Sequence, residues 1–402
     1  MGPRAVGRGL VILVGTATFV ATPVSGQDLL TAAQNGDRDV VQALVRAGTD
    51  VSVARGDGMN ALHLAAERGH TAVAHVLIEV GVPVDAGTRI GAYTPLHIAA
   101  RRGSGELVRA LLDAGADPQR VTTTSGVTPL HLAAAAVNGT DAVDALLDAG
   151  ADPNALEVSA GQTPLMFAAA NDRAASITRL IEGGADPGIE TDVIDVLQHL
   201  IADRDAARHL RRTIQNFREA EGGGDAWEPS AEQVQDAVRQ QREHLMSGEP
   251  YREYDPEELV SYRPDYPGGP DVPRPPYRET LVGRTGGMTA LLFAAREGHL
   301  DAIVALLAGG ADVDHVSGGD RTSPLVIASL NGQFDAAMKL LEAGADPNLQ
   351  ATTDGQTALF GALNTQWAPK SNYPQPRAQD NQKTEYGELV EALLSAGADP
   401  NL

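Results

Sequence analysis

The chain has 402 residues, of which 43% are hydrophobic and 4% aromatic, with a formal net charge of −22 and no cysteine. The missing cysteines exclude disulfides, thiolate metal sites and a cysteine nucleophile. An acidic surface of this size repels nucleic acid and anionic lipid, which both need clustered cations. The length exceeds one ordinary core, unless repeated units each contact only their neighbours.

Residues 1–26 read as a secretory signal. Arg4 and Arg8 form a basic start, Leu10–Val20 is apolar, and Pro23 precedes the small-residue stretch Val24-Ser25-Gly26, which suits cleavage ahead of Gln27. The apolar run is shorter than the ~20 residues of a spanning helix. The expectation is a periplasmic or secreted protein with no membrane span after signal removal.

From residue 27 two landmarks recur. A Gly-Ala-Asp signal or a near variant has its glycine at 48, 81, 115, 150, 184, 310, 344 and 397. A second signal reads Asn60-Ala61-Leu62-His63, Thr94-Pro95-Leu96-His97, Thr128-Pro129-Leu130-His131 and Thr163-Pro164-Leu165-Met166, and resumes at Thr289, Ser323 and Thr357. The steps between its first residues are 34, 34, 35, 126, 34 and 34. Thr or Ser suits a helix N-cap, and the following Pro sits where its missing N–H is harmless. Alanines keep this first helix thin. A second helix follows, as in Glu106–Leu112, and the glycine of Gly-Ala-Asp supplies a positive-φ cap.

Taken together, these residues resemble the ankyrin repeat, with its ~33-residue period and Thr-Pro-Leu-His motif, as found in exported, bacterial-looking proteins. The resemblance implies an all-α repeat solenoid of about eight helix-turn-helix repeats with β-hairpin loops. It also implies ligands gripped by hairpin tips and the inner helix face. Residues 27–187 then hold repeats 1–5, the first (Asp28–Asp50) a cap, and 286–402 hold repeats 6–8.

His63, His97 and His131 recur every 34 residues. Stacked helices lie roughly 8–10 Å apart, whereas zinc ligands converge at ~2 Å from one ion. Each histidine is therefore expected to hydrogen-bond neighbouring loop backbone.

The 126-residue step places an insertion at 188–285. Thr191 or Asp192 is expected to cap a helix running to about Glu219, and a Ser230/Gln233 capping box starts a second helix to about Met246. Pro250–Tyr277 then holds eight of the 24 prolines and five of the eight tyrosines, which reads as an extended strap. The last repeat carries about 19 extra residues, including Trp367 and Tyr373. The chain stops at Asp399-Pro400-Asn401-Leu402, a turn that elsewhere leads into another repeat, so a continuation in the natural protein is expected.

No phosphate loop, dinucleotide fingerprint, His-Glu-x-x-His or nucleophile elbow is present in the sequence. The expectation is a non-catalytic scaffold for protein partners, with no cofactor, no metal and no nucleic acid. The alternatives are the targeting half of a longer enzyme and a secreted effector acting on a host protein. Candidate partner contacts are Thr88, Arg89, Tyr93, Thr123, Glu157 and Arg321 at tips, and Arg68, Arg101, Arg102 and Arg296 on inner helices.

Overall fold

The computed structural model describes residues 26–224, 226–251, 283–352, 355–367 and 378–402. The signal segment and most of the Tyr/Pro-rich stretch lie outside the described residues.

Helices come in short pairs, most of them turned back at a glycine, with Asn171-Asp172-Arg173 at the α9–α10 turn. The pairs are α1 (Gly26–Asn35) with α2 (Arg38–Arg46), α3 (Ala61–Arg68) with α4 (Thr71–Glu79), α5 (Pro95–Arg102) with α6 (Gly105–Asp113), α7 (Pro129–Ala135) with α8 (Thr140–Asp148), and α9 (Pro164–Ala170) with α10 (Ala174–Glu182). After the insertion come α13 (Ala290–Glu297) with α14 (Leu300–Ala308), α15 (Pro324–Leu330) with α16 (Phe334–Glu342), and α17 (Ala358–Trp367) with α18 (Tyr386–Ser395). Asn60, Thr94, Thr163, Thr289 and Ser323 cap the first helix of their pairs by accepting a backbone N–H three residues on. Gly69, Gly103 and Gly298 end α3, α5 and α13 in the left-handed region.

First helices stack on first helices and second on second, which makes a two-layer solenoid. Ala65, Ala66, Ala99, Ala100, Ala133, Ala134, Ala168, Ala169, Ala294 and Ala295 are fully buried between first helices. A larger side chain there would force adjacent pairs apart. The core is continuous along the array.

That continuity passes the insertion. Helix α9 packs directly on α13 and α10 on α14, so the stack is continuous across the insertion. The exit is a hairpin tip drawn out into a ribbon: β1 (Val193–Asp195) pairs antiparallel with β2 (Arg284–Gly286), Val193 opposite Gly286 and Asp195 opposite Arg284. Beyond the ribbon stand α11 (Val196–Ala220) and α12 (Ala231–Met246).

The start of α11 differs from the expected one. Asp195, not Thr191 or Asp192, caps it by accepting the Gln198 N–H at 2.9 Å. Thr191 instead closes the tip: its N–H donates to Met288 O at 3.1 Å, and its hydroxyl accepts from Met288 N at 2.9 Å. Val193 and Ile194 are β-branched and find a strand partner some 90 residues on, which local periodicity does not reveal. Ser230 and Gln233 form the capping box of α12.

The extra residues of the last unit run between α17 and α18. Their return is fixed on the preceding pair, where Asp335 accepts from Lys383 N at 3.0 Å and Thr384 N at 2.8 Å. The side chain of Trp367, and Tyr373, lie outside the described residues.

Candidate protein-interaction surface

Two rows of groups run along the solenoid, one structural and one exposed. The structural row begins with the histidines, all fully buried. His63 Nε2 meets Tyr93 O at 3.0 Å, His97 Nε2 meets Val127 O at 3.2 Å, and His131 Nε2 meets Gln162 O at 3.0 Å. A carbonyl can only accept, so Nε2 carries the proton, and Nδ1 accepts the N–H of Asn60, Thr94 or Thr128 at 3.2 Å. Each histidine thus caps its own helix and ties it to the next tip. Burial drives the His97 imidazole down to about 4, against the opposing pull of its carbonyl partners. It lowers His63 and His131 as well. Among the described residues no group of three or more histidine or carboxylate side chains converges as a metal site.

The tips form a second ladder. Arg89 N donates to Asp57 O at 2.9 Å, Thr123 N to Gly91 O at 3.0 Å, Val158 N to Ser125 O at 2.8 Å and Asp192 N to Ala160 O at 2.9 Å. Past the insertion, Gly318 N donates to Gly287 O at 3.0 Å and Thr352 N to Asp320 O at 2.7 Å. Every tip is joined to the next, so side chains projecting from them hold a fixed spacing.

This ladder sorts the candidate contacts. Arg89, Thr123 and Arg321 project into solvent. Thr88 and Tyr93 are committed locally: Thr88 Oγ1 accepts from Tyr93 N at 3.0 Å, and the Tyr93 ring lies edge-on to His97 at 5.9 Å. Glu157 departs from its expected place. It is 5% exposed, and its carboxylate accepts from Ser159 N and Ala160 N at 2.7 Å and Gln162 N at 3.3 Å. Burial pushes its pKa up, but these donors outweigh that and hold it below the ordinary value. It shapes the tip where Thr122 does so one unit earlier, by accepting from Val127 N at 3.0 Å, a role that the sequence does not signal because the two side chains differ.

On the first helices, Arg68, Arg101 and Arg102 come together on adjacent pairs and all three are exposed. Arg102 Nη1 donates to Glu67 O at 3.1 Å across the pair boundary, at the carboxyl end of α3, where a cation is favoured. Arg296 stands apart, beyond the insertion, with its guanidinium 5.0 Å from the Phe293 ring centroid and Nε 2.9 Å from Glu297 Oε1.

Sequence reading missed an open groove of about 700 Å³ beside the ribbon, lined by Glu190, Arg284, Asp312, His315, Arg321 and Thr352 among others. Glu190 Oε1 lies 2.8 Å from His315 Nε2. These residues come from separate units on either side of the insertion, and no local motif links them.

The ankyrin-repeat family model ("Ankyrin repeats (3 copies)") matches residues 29–122, 118–191 and 277–351, which together span more than half of the chain. The chain belongs to the ankyrin-repeat family. No curated protein matches it. Ankyrin repeats are generally protein–protein interaction modules, consistent with surfaces fixed by a buried hydrogen-bond frame. Among the described residues no helix is long and apolar enough to cross a membrane.

Proposed function

We propose that this ankyrin array is a non-catalytic scaffold of eight repeat units that holds a protein partner on its concave helix face and tips. It acts in the periplasm or outside the cell after residues 1–26 are removed. The observation that carries the reading is the exposed Arg68–Arg101–Arg102 cluster on adjacent first helices of a chain with net charge −22. A cationic spot on an acidic molecule orients an acidic partner segment and sets the encounter rate.

Affinity capture from the native exported fraction tests it. The partner recovered by the mature chain is expected to be lost with Arg68→Glu/Arg101→Glu and retained with Arg296→Ala. Retention by the double variant refutes the concave-face assignment. Intact mass of the exported protein tests the location: it should begin at Gln27, and a cytoplasmic chain keeping residues 1–26 overturns that part.

A further inference from the structure

The α11–α12 hairpin stands off the solenoid. Among the described residues, α11 packs on α12 and, at its base, on β2, and no array helix packs on either beyond marginal contact. The two helices are antiparallel, because Asp205 of α11 meets His244 near the end of α12 at 3.1 Å and Glu221 meets Gln233 near its start at 2.8 Å.

Successive residues turn by about 100° along a helix. The buried residues of α11 are Leu197 and Ile201 at its base and, on the line facing α12, Ala202, Ala206 and Thr213; Leu200, Leu210 and Ile214 lie to one side of that line, only half-buried. In α12 Ala237 and His244 face α11, while Val234, Val238 and Leu245 are displaced in the same rotational sense. Between antiparallel helices, equal displacements in the same sense point to the same flank. The six apolar side chains therefore line one groove, and Val234 is still 39% exposed.

Its rims are basic. Arg204 and Arg211 border the groove on α11, and Arg242 borders it on α12; all three are exposed. No ion pair of Arg204, Arg211 or Arg242 occurs among the described residues. Asp203 near the base of the hairpin and Glu221 just past the end of α11 are exposed acids of this flank. Arginine on both rims of an apolar groove is unusual in so acidic a chain, and it specifies charge as well as shape.

We infer that this flank is a docking groove for an amphipathic helix of a partner protein whose apolar stripe is bordered by Asp and Glu. The apolar stripe completes a three-helix packing unit, and the acidic borders meet the arginine rims. It is a second surface, separate from the concave face, and rests on the scaffold reading only in that the occupant is a protein.

The test uses the full mature chain and a fluorescein-labelled designed helix of roughly five turns, with Leu at i, i+3, i+4 and i+7 spacing and Glu on both borders. A matched peptide with Lys borders is the control. The Glu peptide is expected to bind at least about tenfold more tightly than the Lys peptide. Arg211→Glu/Arg242→Glu, both at exposed positions, should reverse that preference, and Ile214→Asp should abolish binding of either. Arg68→Glu/Arg101→Glu should leave the Glu peptide bound, which separates failure here from failure of the concave-face reading. Equal binding of the two peptides, or no change with Arg211→Glu/Arg242→Glu, overturns the inference. So does a dimer in sedimentation that Ile214→Asp dissolves, since a second copy is then the occupant. Binding to phosphatidylglycerol vesicles lost in the same arginine variant, with no peptide binding, overturns it in favour of a lipid surface.

Discussion

Nε2 of buried His97 donates to the carbonyl of Val127, thirty residues away on the next tip, at 3.2 Å. That bond exists only for the neutral ring in one tautomer, and burial holds the His97 pKa at about 4 against 6.5 for the unfolded chain. Below pH 6.5 the unfolded state binds the proton that the folded state refuses, so stability falls as pH drops from 6.5 towards 4. His97 alone accounts for a loss of about 2 kcal/mol between pH 7 and pH 5. His63 and His131 shift in the same direction. Urea denaturation at the two pH values checks this. His97→Met, the residue this array carries at Met166, should flatten the pH dependence.

The fifth residue of each tip is left-handed whatever its identity: Gly126 (φ 68°), Gly161 (φ 68°), Gly287 (φ 63°) and Gly355 (φ 69°), but also Ala92 (φ 51°) and Arg321 (φ 58°). A side chain at positive φ costs roughly 1–2 kcal/mol, more than the roughly 0.5–1 kcal/mol of extra backbone entropy that glycine brings. Ala92→Gly should therefore raise stability by up to about 1 kcal/mol. An unchanged or lower denaturation midpoint would show that the tip is not strained at Ala92.

Asn154 and Asn348 act as staples between units. Asn154 Nδ2 donates to Gly184 O at 3.0 Å while its Oδ1 accepts from Asp186 N at 2.8 Å. Asn348 repeats this with Gly397 O and Asp399 N at 3.0 and 2.8 Å. Replacing either with Ala removes two bonds at a solvent-accessible edge and should cost about 1–2 kcal/mol. The two sites are far apart, so the double variant should show the sum. A clear shortfall from additivity in chemical denaturation would mean that the junctions are coupled through the stack.

Removing residues 194–285 should leave the array intact. The spliced tip reads Thr191-Asp192-Val193-Gly286-Gly287-Met288, the same length as Thr88-Arg89-Ile90-Gly91-Ala92-Tyr93. Gly286 (φ 94°) and Gly287 (φ 63°) already adopt the conformations of Gly91 (φ 81°) and Ala92 (φ 51°). The thermal midpoint should move by less than about 4 °C. A collapse to separately melting halves would show that the insertion holds them together.

The repeat was legible because its determinants are local and recur. An N-cap, a proline in the first turn, an alanine-rich face and a glycine cap each act within a few residues, and their spacing survives even where His97 becomes Met166 or Val326. The roles of Glu157 and Thr191 were not legible, since each is defined by the position of backbone N–H groups across a closed tip. The exposed arginines of the first helices were nameable from the repeat register, but only the stack shows that Arg102 reaches Glu67 O in the previous unit.

By itself, the sequence determined the helix pairs, their period and the fact of an interruption, because short-range sterics and capping fix those before any unit meets another. Tertiary structure alone decided that the stack runs unbroken from α9 to α13, that the interruption leaves through a two-stranded ribbon, and that α11 and α12 share an arginine-rimmed groove. Those relations depend on contacts between residues some 10 to 130 positions apart. Such contacts form only once helices have a common core to pack against, and no local pattern of residues encodes them.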